Sequence, residues 1–280
     1  MIIICSITLE RDSAIPPKVT APAFMEQSDD RFQKVVIVER RDCAADLWTM
    51  RMRPEERLCF QPGQYATLGL LDGDRTVERP YSIVSSPHED EVEFFFELVP
   101  EGGLTPVLHK MKAGDSLWMR RRAMGQFAFD SQSGCQQHFF VATVTGIAPF
   151  VSMIRRLAQE IREGRPADLK LVVLHSASRS WEFAYCDELA RLAREASWFR
   201  YIPTVSRPWE DPGWTGEVGR IEDVLRKYID SLGLEPSTTT AYLCGHPQMI
   251  INARAMLERR GFSKDSIRQE LYWMPKKGES

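Results

Sequence analysis

The sequence predicts two domains: an antiparallel β-barrel followed by an α/β domain built on a parallel sheet. Three observations carry this prediction. The 280 residues favour two hydrophobic cores over one. From Phe32 to about Gly134 the chain is a series of short β-like runs separated by turn signals. After "DSQSGCQQ" the period changes, and apolar strands alternate with amphipathic helices. The expected organisation is an N-terminal arm over residues 1–30, the barrel over 31–134, the α/β domain over 135–273 and a C-terminal extension over 274–280.

The arm carries "SAIPPKVTAPAF" and an acidic "SDD", which read as a loosely docked segment. Six strands then follow: "QKVVIVERR", "DLWTMRMR", "QYATLGLL", "RPYSIV", "EVEFFFELV" and "DSLWMRR". Arg53-Pro54, Gln61-Pro62-Gly63, Leu71-Asp72-Gly73 and Ala113-Gly114-Asp115 supply turns between them. A single helix-like segment, "LTPVLHKM", interrupts the strands, with Thr105 expected as N-cap and Pro106 at the first helical position. In the second half "HFFVAT", "LKLVVLHSA", "WFRYIPTVS" and "TAYLCG" read as strands. "GIAPFVSMIRRLAQEIREG" is helical, and further helices are expected near Trp181, Arg220 and Pro247. That alternation implies a parallel sheet covered on both faces.

Composition narrows the function. Apolar content of 43% and charged content of 27% belong to a soluble globular chain. A net charge of -3 argues against a general nucleic-acid binder. No apolar run reaches the roughly 20 residues of a membrane span. "MIIICSITLERD" has neither a basic start nor a small-residue cleavage site, so a cytoplasmic protein is expected. The six cysteines lack C-x-x-C spacing and the five histidines lack H-E-x-x-H, so no metal site is expected. Any electrons would travel on an organic cofactor.

Several segments bear groups suited to a phosphorylated ligand with an extended ring. In "ERPYSIVSSP" an arginine fork, an aromatic face and small hydroxyls follow one another closely. Alone, the same residues read equally as an ordinary strand ending in a Ser-Pro turn. "VATVTGIAPF" joins a strand to a helix, where Thr143, Thr145 and Gly146 allow a phosphate to approach free N–H groups. It is not G-x-G-x-x-G, and a plain strand–helix turn fits it too. "YLCGHPQMI" repeats the arrangement with Cys244 and Gly245. Arg179 and Arg207 end the two remaining strands and are expected to point into the same crevice.

The ordered series "RPYS", "GGLTP", "TGIAPF", "CGHPQM" and "ELYW" resembles the ferredoxin–NADP(+) reductase superfamily, most nearly its bacterial flavodoxin/ferredoxin reductases, over about residues 32–273. The resemblance implies an FAD-binding barrel, an NADP-binding α/β domain and hydride transfer at flavin N5, with cofactors FAD and NADP(H). By this resemblance Arg79 binds the flavin pyrophosphate, Tyr81 packs on the ring and Ser82 bonds near N5. Gly103, Leu104 and Thr105 turn N–H groups to the pyrophosphate, and Pro80, Phe96 and Leu98 join the cofactor contacts. Ser82, Cys244 and Glu270 are implied as catalytic, and Tyr272 and Trp273 as the aromatic pair over the flavin. Arg179, Arg207 and Arg220 are implied for the nucleotide phosphates.

Three departures stand out. Val144 fills a usual glycine position, Glu217 stands where the bacterial group often has arginine, and "MPKKGES" extends past the Tyr-Trp pair. The implied partner is a ferredoxin or flavodoxin, an acidic redox protein. Basic patches for it are expected at "MRRRAM", Arg155-Arg156 and Lys276-Lys277. The alternatives are a free-flavin or quinone reductase, or the reductase component of an oxygenase or other multi-subunit redox complex.

Overall fold

A computed structural model describes residues 30–72, 75–131 and 133–271. Six strands form the first sheet: β1 (Phe32–Asp42), β2 (Leu47–Pro54), β3 (Tyr65–Asp72), β4 (Arg75–Ser82), β5 (Val92–Glu97) and β6 (Ser116–Arg120). All neighbours are antiparallel, in the order β4-β3-β6-β1-β2-β5. Just beyond β4, Ile83 bridges Phe94 of β5, and the Val84 N–H donates to Glu93 O at 2.9 Å. The two outer strands thereby meet and the sheet curls into a nearly closed barrel.

Alternation explains why these runs become strands. Val35 and Ile37, Trp48, Met50 and Met52, Ala66 and Leu68, Phe94 and Phe96, and Leu117 and Met119 are spaced by two and fill the barrel interior. Phe95, on the other face of β5, joins the core beneath the second domain instead. Helix α1 (Thr105–Leu108) differs from expectation at its start. Leu104 is its N-cap, and the Thr105 hydroxyl is used elsewhere, bridging the Val99 N–H (3.0 Å) and C=O (3.2 Å). It pins the preceding loop rather than the helix end.

The second sheet is parallel, in the order β10-β9-β8-β7-β11-β12. Its strands are β7 (Gln137–Thr143), β8 (Lys170–Ala177), β9 (Phe199–Val205), β10 (Glu217–Val218), β11 (Thr239–Gly245) and β12 (Ile267–Leu271). Helices α2 (Ala148–Arg162) and α3 (Cys186–Glu195) cover one face, and α4 (Ile221–Ser231) and α5 (Pro247–Arg259) cover the other. The helix expected near Trp181 is only a 3-10 turn, Ser180–Glu182, and α3 begins at Cys186. The Glu182 carboxylate turns back to accept the Ser178 N–H at 2.8 Å, which closes the turn on itself. The sequence reading also missed β10 and β12. Among the described residues, no helix is long and apolar enough to cross a membrane.

One apolar core runs through both halves: Leu47, Val84, Phe95 and Phe127 pack with Phe140, Phe150 and Met153. Polar ties reinforce it. Ser152 Oγ donates to Ser85 O at 2.7 Å, and Arg155 Nη1 donates to Glu93 at 2.7 Å. The other guanidinium nitrogens of Arg155 hold Glu188 at 2.8 Å, while Tyr185 OH reaches Glu93 at 2.9 Å. Because the barrel is fixed against α2 and α3, the end of β4 lies against the carboxyl edge of the parallel sheet.

Candidate active site

Three residues implied as catalytic meet where the two sheets approach. Ser82, at the end of β4 and only 6% exposed, donates its Oγ–H to Glu270 Oε2 at 3.3 Å. Glu270 lies on β12 directly beside Cys244 of β11 in the parallel register, and Cys244 is fully buried. Burial raises the Glu270 carboxyl to about 7, opposed by the Ser82 hydrogen bond. A carboxyl at that value is half protonated near neutrality and can take or give a proton at its Oε atoms.

On the barrel side, β4 carries Arg79, Pro80, Tyr81 and Ser82 in succession. Arg79 is exposed, and its Nη1 donates to Glu78 O at 2.8 Å. No carboxylate pairs with Arg79 among the described residues, because Glu78 is taken by Arg120. Gly103 lies beside this guanidinium: a Cβ built there would sit 3.1 Å from Val77 Cγ1 and 4.0 Å from Arg79 Nη2. A side chain there would crowd Val77 and narrow the space beside the guanidinium, so glycine leaves room for an anion shared between the arginine and the N–H groups of the turn. Residues 103–105 and Arg79 therefore suit a pyrophosphate, the first requirement of FAD.

Tyr81 meets Phe96 edge-on at 4.8 Å, and Phe96 stacks on Trp48 at 5.4 Å. Phe96 is 1% exposed, so it supports Tyr81 from inside the barrel. Leu98 packs, partly buried, on the same core. Pro80 pairs with Thr67 on an outer strand, where its missing N–H costs no ladder bond.

A cleft of about 410 Å³ opens at the carboxyl ends of β7, β8, β9 and β11, where strand order reverses about β7. Its lining includes Thr143, Val144, Ser178, Arg207, Arg220 and His246. Two glycines allow the strand ends to touch. A Cβ on Gly146 would lie 2.4 Å from Cys244 O, and one on Gly245 2.2 Å from Thr143 Oγ1. Thr143 Oγ1 instead accepts the His246 N–H at 2.8 Å, tying the turn after β7 to the start of α5. Thr145 is half-buried in the 3-10 turn that Val144 begins.

Val144 has φ 40, the only positive value among described non-glycine residues. A β-branched residue there is strained by about 1–2 kcal/mol. His175 stands beneath it, fully buried, with Nε2 3.0 Å from Val144 O and Nδ1 3.1 Å from Tyr201 OH. Burial lowers this imidazole to about 4. It is therefore neutral, with Nε2–H donating to the carbonyl of the strained residue. The sequence reading passed over His175, whose only signal was a polar residue within an apolar strand.

The arginines behave differently from one another. Arg207 and Arg220 line the cleft; Arg179 does not. Its Nη1 donates to Glu182 at 2.9 Å and its Nε to Glu210 at 2.7 Å. Glu217 is occupied by Lys227 and Tyr228. The expected basic patches are also largely neutralised. Arg120 pairs with Glu78, Arg121 with Glu56, Arg155 with Glu93 and Glu188, and Arg156 with Glu160. Tyr272, Trp273 and Lys276-Lys277 lie outside the described residues. Among the described residues, no three His, Cys, Asp or Glu side chains are grouped to hold a metal.

Known proteins match both halves of the chain. The oxidoreductase FAD-binding domain matches residues 34–129, and the oxidoreductase NAD-binding domain matches 140–255. A ferredoxin–NADP reductase of Pseudomonas aeruginosa is 30% identical over 229 residues, 77% of this chain and 84% of that protein. The reductase component DmpP of a Pseudomonas phenol 2-monooxygenase is 29% identical over 273 residues, 96% of this chain and 73% of that protein. The crystal structure of a Neisseria gonorrhoeae ferredoxin NADP+ reductase with bound FAD and NADP superimposes with a TM-score of 0.77 at 25% identity. That match covers 88% of this chain and 100% of the other.

Proposed function

The chain belongs to the ferredoxin–NADP reductase family, and from that membership we propose that it passes electrons between NADPH and a ferredoxin or flavodoxin, with FAD as resident cofactor. The observation that carries this reading is the meeting of Ser82, Glu270 and Cys244 between the barrel strand that bears Arg79 and a cleft of about 410 Å³ at the carboxyl edge of the parallel sheet. When bound, FAD supplies the redox chemistry, accepting a hydride from NADPH and releasing electrons singly.

The chain's own residues bind, orient and handle protons. Arg79 and the 103–105 turn hold a pyrophosphate, and Tyr81, braced by Phe96, offers its ring to the flavin face. Thr143, Thr145 and Gly146 hold the nucleotide phosphates at the turn after β7. Cys244, fully buried at the end of β11 and paired with Glu270, would stand beside the nicotinamide. Ser82 Oγ holds the Glu270 carboxyl, which keeps a proton available near neutral pH.

Turnover of the isolated, FAD-loaded chain with NADPH and either ferredoxin or flavodoxin tests the reading. Reduction of one of these carriers faster than free flavin or quinone supports it; reduction of free flavin or quinone alone overturns it. A second reading, the reductase component of an oxygenase, is favoured by the match to DmpP along 96% of this chain. Electron delivery to an oxygenase component, without turnover on ferredoxin or flavodoxin, would select it.

A further inference from the structure

Beside the cleft, two loops carry a four-membered charge cluster. Arg179 and Glu182 follow β8, while Arg207 and Glu210 follow β9. Every guanidinium nitrogen of Arg179 is engaged: Nη1 with Glu182 Oε1 at 2.9 Å, Nε with Glu210 Oε2 at 2.7 Å, and Nη2 with the same Glu210 oxygen. The other Glu210 oxygen lies 3.6 Å from Arg207 Nη1. Two arginines of opposite loops are thus drawn to one carboxylate.

The backbone holds that carboxylate in place. The Arg207 N–H donates to Ser178 O at 3.0 Å, and the Ser180 N–H donates to Asp211 Oδ2 at 2.8 Å, cross-linking the loops on either side. The Glu210 N–H closes on Arg207 O at 3.0 Å. The four side chains sum to zero charge, two arginines against two glutamates. A phosphate approaching Arg207 therefore meets a cation already partly compensated and must compete with Glu210 for it. Of the two arginines lining the cleft, Arg220 gives only its backbone N–H to a carboxylate, Asp223 Oδ2 at 3.0 Å, and no ion pair holds its guanidinium among the described residues, so Arg207 is where competition acts.

We propose that Glu210 is a specificity-determining residue of the nucleotide cleft, an internal carboxylate, anchored by Arg179, that competes with a ribose 2′-phosphate for Arg207 and so weakens discrimination between NADPH and NADH. The proposal rests on the cleft being the nucleotide site. Its chemistry sets a graded preference: both nucleotides enter, and the 2′-phosphate gains only what remains after Glu210 is displaced.

Calorimetric titration with adenosine 2′-phosphate and adenosine 5′-phosphate tests this without turnover. The readout is the ratio of the two affinities in the FAD-loaded protein, compared among wild type, Glu210→Gln and Glu210→Ala. Loss of the competing charge should raise the ratio in favour of the 2′-phosphate by roughly 10- to 100-fold, the span of one charge-assisted hydrogen bond. The NADPH-to-NADH ratio of kcat/KM should rise in parallel. An unchanged ratio in both variants overturns the proposal. So does a fall, which would make Glu210 a buttress of the arginines. A separate Arg207→Ala variant distinguishes the two levels: if it alters neither probe's binding nor the KM of either nucleotide, the cleft is not the nucleotide site, and the underlying reading fails with the proposal.

Discussion

Replacing Ser82 by alanine should move a proton-transfer step to higher pH. Burial lifts the Glu270 carboxyl to about 7, and the Ser82 hydroxyl, 3.3 Å from Oε2, is the group that opposes that rise by bonding the ionised form. A hydrogen bond to a charged group contributes about 1.5–3 kcal/mol, and its length here places it at the low end. At about 1.4 kcal/mol per pH unit, its loss should raise the Glu270 inflection by about one pH unit. The assay is stopped-flow reduction of the protein-bound flavin by NADPH between about pH 5.5 and 9. Wild type should show an inflection near 7, Ser82→Ala one near 8, and Glu270→Gln none. An inflection that stays put or moves to lower pH in Ser82→Ala, or survives in Glu270→Gln, refutes the argument.

Acid should weaken the fold through the buried imidazoles. His175 and His138 are lowered to about 4 by burial, so the unfolded chain takes up protons first. Their contribution is fully present above about 6.5 and is lost as pH falls toward 4, at about 3 kcal/mol each; denaturant midpoints that do not decrease over that window contradict this. Gly245→Ala should raise the nucleotide KM at least about tenfold while FAD content is retained. Its Cβ would lie 2.2 Å from Thr143 Oγ1 at a backbone φ of 129, forcing the cleft apart; an unchanged KM contradicts it. Arg155→Met should cost about 3–5 kcal/mol in urea unfolding, because Glu93 loses its cation in a buried site that joins the two domains. A cost below about 1 kcal/mol would show that the apolar core alone fixes the domain contact.

Much of the fold was legible because its signal is local. The period-two runs of the barrel place Trp48, Met50 and Met52, or Phe94 and Phe96, inward whatever the rest of the chain does. The change of period after residue 134 likewise announces the parallel sheet. What sequence reasoning missed depends on partners far away along the chain. β12 reads "IRQEL", too polar to announce a strand, and it exists because β11 offers it a free edge. Arg155 looks like a surface cation until Glu93, 62 residues earlier, and Glu188 close around it. Arg179 looks free until Glu210, 31 residues later, claims it. Ser82 and Glu270 stand 188 residues apart, so only resemblance grouped them before their hydrogen bond was seen. Strain at Val144 was invisible in the sequence, which marked only an unusual residue at a glycine position.

Anaerobic titration of the purified, FAD-equilibrated chain with NADPH, followed in the visible spectrum, tests the central claim most directly. The account predicts a yellow protein that carries about one flavin per chain, releases it as FAD on denaturation, and is bleached by about one equivalent of NADPH. A protein that retains no FAD, releases only FMN, or keeps its colour with excess NADPH would contradict it.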